Sequence, residues 1–280
     1  MRITDEQRGL LDSFVCERLK QNSNRDLVQD IKVIHNASLV DILGSDQAWA
    51  EEQENGTAHY LIKTKDGLVL AFFSIRCGEL FIGVNDELLR FSDEVYRALK
   101  EVADNDNSSQ ESRDKAQALY HEAQNRGLFL DDILAYARKK QSYRSDVSYE
   151  TSKEVNRVAS IFSAIELNLL GVNENAREYW DSLGFPRKMG ETLFWSIIVP
   201  KLEEIINGVG AQYLYLFAAD DEPDGALVNY YRVRLQFVIP PNLGANKPHF
   251  DFRCQFMCQE IGELIKFKDY FFEHFNSESL

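Results

Sequence analysis

Between residues 158 and 219 an apolar strand, a basic glycine turn, a long apolar helix and a second buried strand follow in succession. Joining two strands through a helix makes a βαβ unit, and this places the strands parallel in one sheet. The turn reads Arg187-Lys188-Met189-Gly190-Glu191-Thr192. It opens a helix running to Val209 through Leu193, Phe194, Ile197, Ile198, Leu202 and Ile205, with Pro200 predicting a bend. The first N–H groups of a helix lack internal acceptors, and the helix dipole favours an anion beside them. The turn is therefore a candidate seat for a pyrophosphate. An ordinary surface turn before a core helix accounts for the same residues equally well.

The strand before the turn carries a carboxylate. In Ser163–Asn173 (SAIELNLLGVN), strict alternation puts Glu166, Asn168, Leu170 and Val172 on one face and Ile165, Leu167 and Leu169 on the other. A carboxyl on an otherwise apolar strand is desolvated, which suits a general base. Glu166 facing solvent at a sheet surface is the alternative. After the second strand, Gln212–Ala219, comes the acidic turn Asp220–Gly225, and then Ala226–Phe237 reads as a helix bearing Tyr230 and Tyr231.

Charge narrows the partners. A net charge of −14 opposes a nucleic-acid partner, which needs a basic face, and is compatible with a cationic amine. Four scattered cysteines without a histidine pair predict reduced thiols and no metal. No apolar run approaches the ~20 residues that cross a bilayer. The expectation is a soluble, cytoplasmic protein with no membrane association.

Elsewhere the pattern predicts a helix capped by Thr4 and running to about Lys20. A short strand over Asp30–Asn36, ending near His35, and a helix over Ser38–Gln53 follow. His59–Thr64 and Leu68–Arg76, joined by Lys65-Asp66-Gly67, form a hairpin, with Gly78–Gly83 as a third piece. Residues 86–150 read as a helical insertion with helices over Phe91–Ala103, Gln110–Arg126 and Leu130–Gln141. Asn173–Phe185 is a short helix and turn, His249–Gln259 a final strand, and Gly262–Phe275 a helix with an aromatic stripe.

Strand, basic glycine turn, long helix, strand and tyrosine-bearing helix, from about Ser163 to Phe237, resemble the core of GNAT-type N-acetyltransferases. Arg187–Thr192 matches the family's turn of Arg or Gln, two residues, Gly, one residue, Gly or Ala, except that Thr192 replaces the final small residue. The resemblance implies an α/β (α+β) fold. Its sheet would be mixed, mostly antiparallel and twisted, with a splayed central parallel pair and helices on both faces. It implies a single domain: an extra N-terminal helix over 1–25, the insertion at 86–150, an acetyl-CoA-binding core over 158–259, and a C-terminal helix and tail over 262–280.

The same resemblance implies that acetyl-CoA is the co-substrate. Its pyrophosphate would lie on the backbone of Arg187, Lys188, Met189, Gly190, Glu191 and Thr192. Its pantetheine arm would pair with Leu170, Gly171 and Val172, and Asn229 would add a contact from the late helix. Tyr231, with Tyr230 second, would protonate the departing thiolate, and Glu166 would take the proton of a small-molecule or peptide amine. A competing alignment makes Asn173–Phe185 the late helix, with Tyr179 as the acid. The expected reaction is direct acyl transfer in a ternary complex. A non-catalytic acyl-CoA sensor and a protein-interaction domain without CoA affinity are the rival readings.

Overall fold

In the computed structural model, residues 1–34, 38–83, 86–105, 108–126, 128–131, 133–134, 158–219, 225–241, 243–245 and 254–277 are described. Among the described residues, six strands form one sheet in the order β1-β2-β3-β4-β5-β6: Val15–Arg18, Ala58–Lys63, Val69–Gly83, Val158–Val172, Tyr213–Ala218 and Gln255–Glu260. β1–β2, β2–β3 and β5–β6 are antiparallel, while β4 and β5 run parallel. The sheet is mixed and mostly antiparallel, as expected, and its parallel pair is the one that the βαβ succession predicts.

The β4–β5 crossover is a helix that changes type without a break. It starts as α8 (Met189–Leu193), widens into a π-helical turn over Phe194–Ile198 and ends as α9 (Val199–Val209). Pro200 sits two residues past the π turn, at the second residue of α9. A proline removes one N–H from the ladder, and the wider turn absorbs that loss. Gly210 (φ 62°) then reverses the chain into β5.

Two apolar layers sandwich the sheet. On one face Tyr60, Ile62, Phe73, Ile75, Ile165, Leu167, Leu214 and Leu216 meet Phe194, Trp195, Ile198 and Leu202 of the crossover. Trp180 of α7 (Arg177–Ser182) and Phe271 of α11 (Ile261–Glu273) complete this layer. On the other face Leu61, Phe72 and Leu169 pack with Leu19, Val28, Ile31 and Leu43. The last three belong to the segment with α2 (Asn24–Leu27) and α3 (Ser38–Gly44), which α4 (Asp46–Gln53) follows.

Three expectations are corrected. The N-terminal helix α1 spans only Asp5–Asp12, held by a Thr4/Gln7 capping box, and the chain then becomes edge strand β1. The helical spacing of Leu10, Leu11, Phe14 and Val15 also fits a helix end followed by a short strand, and pairing with β2 decides between them. No strand forms over 30–34, and His35 lies outside the described residues. The helix expected over Ser38–Gln53 is two, because Ser45 caps α4 through the Ala48 N–H at 3.0 Å.

By internal packing the chain forms two compact units, Met1–Phe81 with Ile161–Leu280, and Ile82–Ser160. The second holds α5 (Asp86–Asp104) and α6 (Gln110–Asn125), with Val95, Ala123, Leu128 and Ile133 as its own small core. Much of the helix expected over Leu130–Gln141, and part of the strand expected over His249–Gln259, fall outside the described residues. Among the described residues, no helix is long and apolar enough to cross a membrane.

Candidate functional site

The parallel ladder is short. β4 and β5 are in register only at Ala164–Tyr213, Ile165–Leu214 and Glu166–Tyr215. Beyond that point β5 continues beside β6 to Ala218, while β4 continues to Val172. The two strands part after Glu166, so the β4 main chain over 167–172 has no β5 partner among the described residues. A fork of this kind exposes backbone N–H and C=O groups on its inner edges, and these require partners.

Glu166 stands at the base of the fork and is 3% exposed. Arg76 of β3 grips it with two bonds, Nε to Oε2 at 2.9 Å and Nη2 to Oε1 at 3.0 Å. The Tyr215 hydroxyl donates to Oε2 at 2.9 Å. A buried charge needs a partner of this kind, and the two-pronged guanidinium fixes the plane of the carboxylate. Burial, reinforced by Glu166, raises the Tyr215 pKa well above the ordinary phenol value, so this hydroxyl keeps its proton. Gly78 makes room for the ring, since a Cβ there would overlap the Tyr215 hydroxyl. Oε1, with one donor against two on Oε2, has the greater remaining capacity to accept a bond.

β4 does not alternate as its sequence predicts. Ile165 and Leu167 lie in one core layer, and Leu170 and Val172 pack against that same layer. Leu169 joins the opposite layer, and the face of Gly171 meets the Phe72 ring of that layer. A shift of phase by one residue between Leu167 and Leu170 requires an extra residue in the strand, a β-bulge. The expected grouping of Glu166 with Leu170 and Val172 is thereby corrected. The bulge lies just past the fork, where it re-aims the main chain.

The basic turn does not present its arginine outward. The Arg187 side chain is buried, and its guanidinium donates to three main-chain oxygens of the C-terminal segment: Phe275 at 3.1 Å, His274 at 3.0 Å and Ser277 at 2.9 Å. Its own carbonyl accepts from Trp180 Nε1 at 3.3 Å. Exposed Lys188 is the N-cap of α8, with no side-chain cap, and Thr192 N–H bonds back to the Lys188 carbonyl at 3.0 Å. By helix geometry the N–H groups of Met189, Gly190 and Glu191 lack intrahelical acceptors. Buried Thr192 has an Oγ1 with no hydrogen-bond partner among the described residues.

Gly190 is closely packed. A Cβ there would stand 3.0 Å from the Tyr230 hydroxyl and 3.2 Å from Val172. Tyr230, on α10 (Ala226–Arg234), therefore sits at the far end of β4. Six residues of strand, ~20 Å, separate that end from Glu166. Burial, then Glu191, raises its pKa far above the ordinary phenol value. Tyr231 packs its ring edge-on against Phe237, with centroids 6.1 Å apart. Asn229 is exposed, and its Oδ1 accepts from Arg232 at 3.0 Å. The structure thus brings Gly190, Val172 and Tyr230 together and sets Glu166 apart from them. Tyr179 of α7 is exposed.

Glu191 is buried, with Oε1 lacking a hydrogen bond and Arg234 Nη1 at 3.9 Å. Burial raises its pKa, opposed by Arg234, Arg187 and Lys188. The native state therefore binds more protons than the unfolded chain between the unfolded and native pKa values. Stability declines as pH rises through that window. Glu191→Gln is expected to gain stability relative to the parent as pH rises from about 4, the ordinary glutamate value. Melting temperatures of both proteins across a pH series check this, and parallel curves would overturn it.

Burial also pushes the thiols of Cys16 and Cys258 up, to about 12 and about 11, so neither is primed as a nucleophile. Arg76, Gly78 and Tyr215 are site residues that sequence reasoning misses. Arg76 lies within a hairpin strand and Tyr215 within an apolar run, QYLYLFAA, where both read as ordinary strand positions. Pairing β4 with β3 and β5 in register is the signal that would have found them.

No protein-family model and no curated protein matches the sequence. Some solved structures are similar to it over most of the chain. A tyrosine-to-phenylalanine mutant of KacT is 9% identical, covering 91% of this chain and 99% of that one, with a TM-score of 0.47. A structure described as a bacterial toxin is 11% identical, covering 92% and 96%, with a TM-score of 0.47. AtaTR bound with AcCoA is 9% identical, covering 91% and 98%, with a TM-score of 0.45.

Proposed function

We propose that this protein is an acyl-CoA-dependent N-acetyltransferase, moving an acetyl group from acetyl-CoA to an amine by direct attack in a ternary complex. The observation that carries this reading is the parting of β4 from β5 after Glu166. It leaves a run of main chain ending beside an uncapped helix N-terminus. Such an edge pairs with an extended amide-containing arm, and such a helix end receives a diphosphate.

The residues present fit the cofactor. Leu170, Gly171 and Val172 lie on the parted segment and would pair with the pantetheine amides. The N–H groups of Met189, Gly190 and Glu191, with exposed Lys188 beside them, would hold the diphosphate. Arg187 contributes by tying the turn to the C-terminal segment. The raised pKa of Glu191 lessens negative charge at the diphosphate seat. When bound, the thioester supplies an activated acyl group. Glu166 stands where a base is needed for the attacking ammonium, which must lose a proton before it can attack. The bulged main chain is placed to offer an N–H to the developing oxyanion. Tyr230 belongs to the diphosphate end, and Tyr231, with its ring centroid 5.9 Å from that of Tyr230, lies at the same end, so neither is assigned the departing thiolate.

The acidic chain favours a cationic small molecule or peptide as acceptor over nucleic acid. Titration calorimetry with CoA and acetyl-CoA tests the reading, alongside thiol release over a panel of amines. Binding with thiol release supports an enzyme, tight binding without release a sensor, and no heat overturns the proposal. Gly190→Val should weaken CoA binding by about tenfold, the scale of one lost interaction of ~1.4 kcal/mol. Its side chain pushes on Tyr230 and Val172. Unchanged affinity would remove this helix end from the site.

A further inference from the structure

On the sheet face that carries Arg76 and Glu166, β2 and β3 hold two polar side chains with no partner. His59 is 1% exposed and Ser74 is fully buried. They face one another in the β2–β3 register. Among the described residues, neither ring nitrogen of His59 nor the Ser74 hydroxyl has a hydrogen-bond partner. A buried polar group left unpaired costs about 1–3 kcal/mol, and native proteins rarely keep two side by side without a use. The His59 main-chain N–H is satisfied by Glu52 Oε2 at 2.7 Å, so only the ring is spare.

Register places this pair at the fork. Ser74 and Arg76 are two apart on β3, hence on the same face and ~7 Å apart. Arg76 faces Glu166, while nearer the other end the Asn173 N–H donates to the Leu70 carbonyl at 2.8 Å. Ser74 lies between these two crossings, opposite the β4 bulge. Apolar Leu61 and Phe72 form the next rung of the same face.

We propose that His59 and Ser74 form an acceptor subsite that takes an uncharged hydrogen-bonding group, a hydroxyl or carboxamide, of the molecule that carries the reacting amine. This rests on the acetyltransferase reading and deepens it. A neutral imidazole offers one donor and one acceptor, and serine offers both, which together complement a hydroxyl or amide. Burial lowers the His59 pKa, although Glu52 and Glu51 oppose the shift and Arg18 adds to it. A neutral pair gives a carboxylate no counter-charge, and nearby Glu52, already paired with Arg18 at 2.6 Å, opposes a second anion.

The test compares amino alcohols of increasing chain length with alkylamines of equal length, using kcat/KM for thiol release from acetyl-CoA. The expected result is a preference for one amino-alcohol length of about tenfold or more over its alkylamine, the scale set by one buried polar pair left unmatched. Ser74→Ala should lower kcat/KM for the amino alcohol about tenfold more than for the alkylamine. Equal losses on both, or no preference at any length while alkylamines turn over, would overturn the subsite and leave the acetyltransferase reading standing. If no amine turns over, the reading of the enzyme fails instead. The His59 ring resonances then decide the subsite on their own. Amino alcohol should shift them in the parent and not in Ser74→Ala, and no shift in the parent overturns it.

Discussion

Glu166→Gln is expected to lower acetyl-transfer turnover by roughly 10²–10⁴-fold, the range for a lost general base, with CoA affinity nearly unchanged. Glutamine keeps the shape and one acceptor oxygen, but it cannot carry away the ammonium proton. It also leaves Arg76 without its counter-charge and turns an N–H₂ group toward Arg76 or Tyr215. Pre-steady-state thiol release, read beside calorimetric CoA binding, separates the effects. Turnover within a few-fold of the parent would make Glu166 an anchor for Arg76. Loss of CoA binding would place its role in holding the fork together.

Arg187→Met is expected to destabilise the fold by about 4 kcal/mol, since three bonds from one buried guanidinium each contribute on the order of 1.5–3 kcal/mol and share one desolvation cost. At ~2–4 °C per kcal/mol for a chain of this size, the melting temperature should fall by about 10 °C. The carbonyls of His274, Phe275 and Ser277 lose their donor, so the last turn of the chain should loosen first. Hydrogen exchange of the 271–277 amides, followed with the melt, gives the local reading. An unchanged melting temperature with weakened CoA binding would return Arg187 to the phosphate. Lys188→Met is the contrasting variant: its exposed side chain predicts weaker CoA binding with little change in stability.

Local pattern was enough for the architecture around the site. Apolar runs over 163–172 and 212–219, joined by a helix, dictate a parallel pair whatever surrounds them, and the pair is present. Thr4 announces its cap, and Lys65-Asp66-Gly67 announces its turn, where Gly67 adopts φ 97°. The short edge strand Val15–Arg18 was hidden, because four residues carry too little periodicity to resist the helix pattern before them. The division of Ser38–Gln53 at Ser45 was hidden by the same continuity.

Of the site, the sequence alone determined which residues lie near a phosphate-type helix end and that a carboxylate sits on the strand before it. Only the tertiary structure decided which way those side chains face. Arg187 turns inward because the C-terminal segment supplies carbonyls that a local reading of the turn cannot see. Tyr230 lies beside Gly190 and Val172, at the far end of β4, because α10 packs there. One extra residue in β4 reverses the face of everything after Leu167, and no composition or spacing records a bulge. Arg76, Tyr215, His59 and Ser74 reach the fork through pairings between distant strands, and such pairings exist only once the sheet has formed.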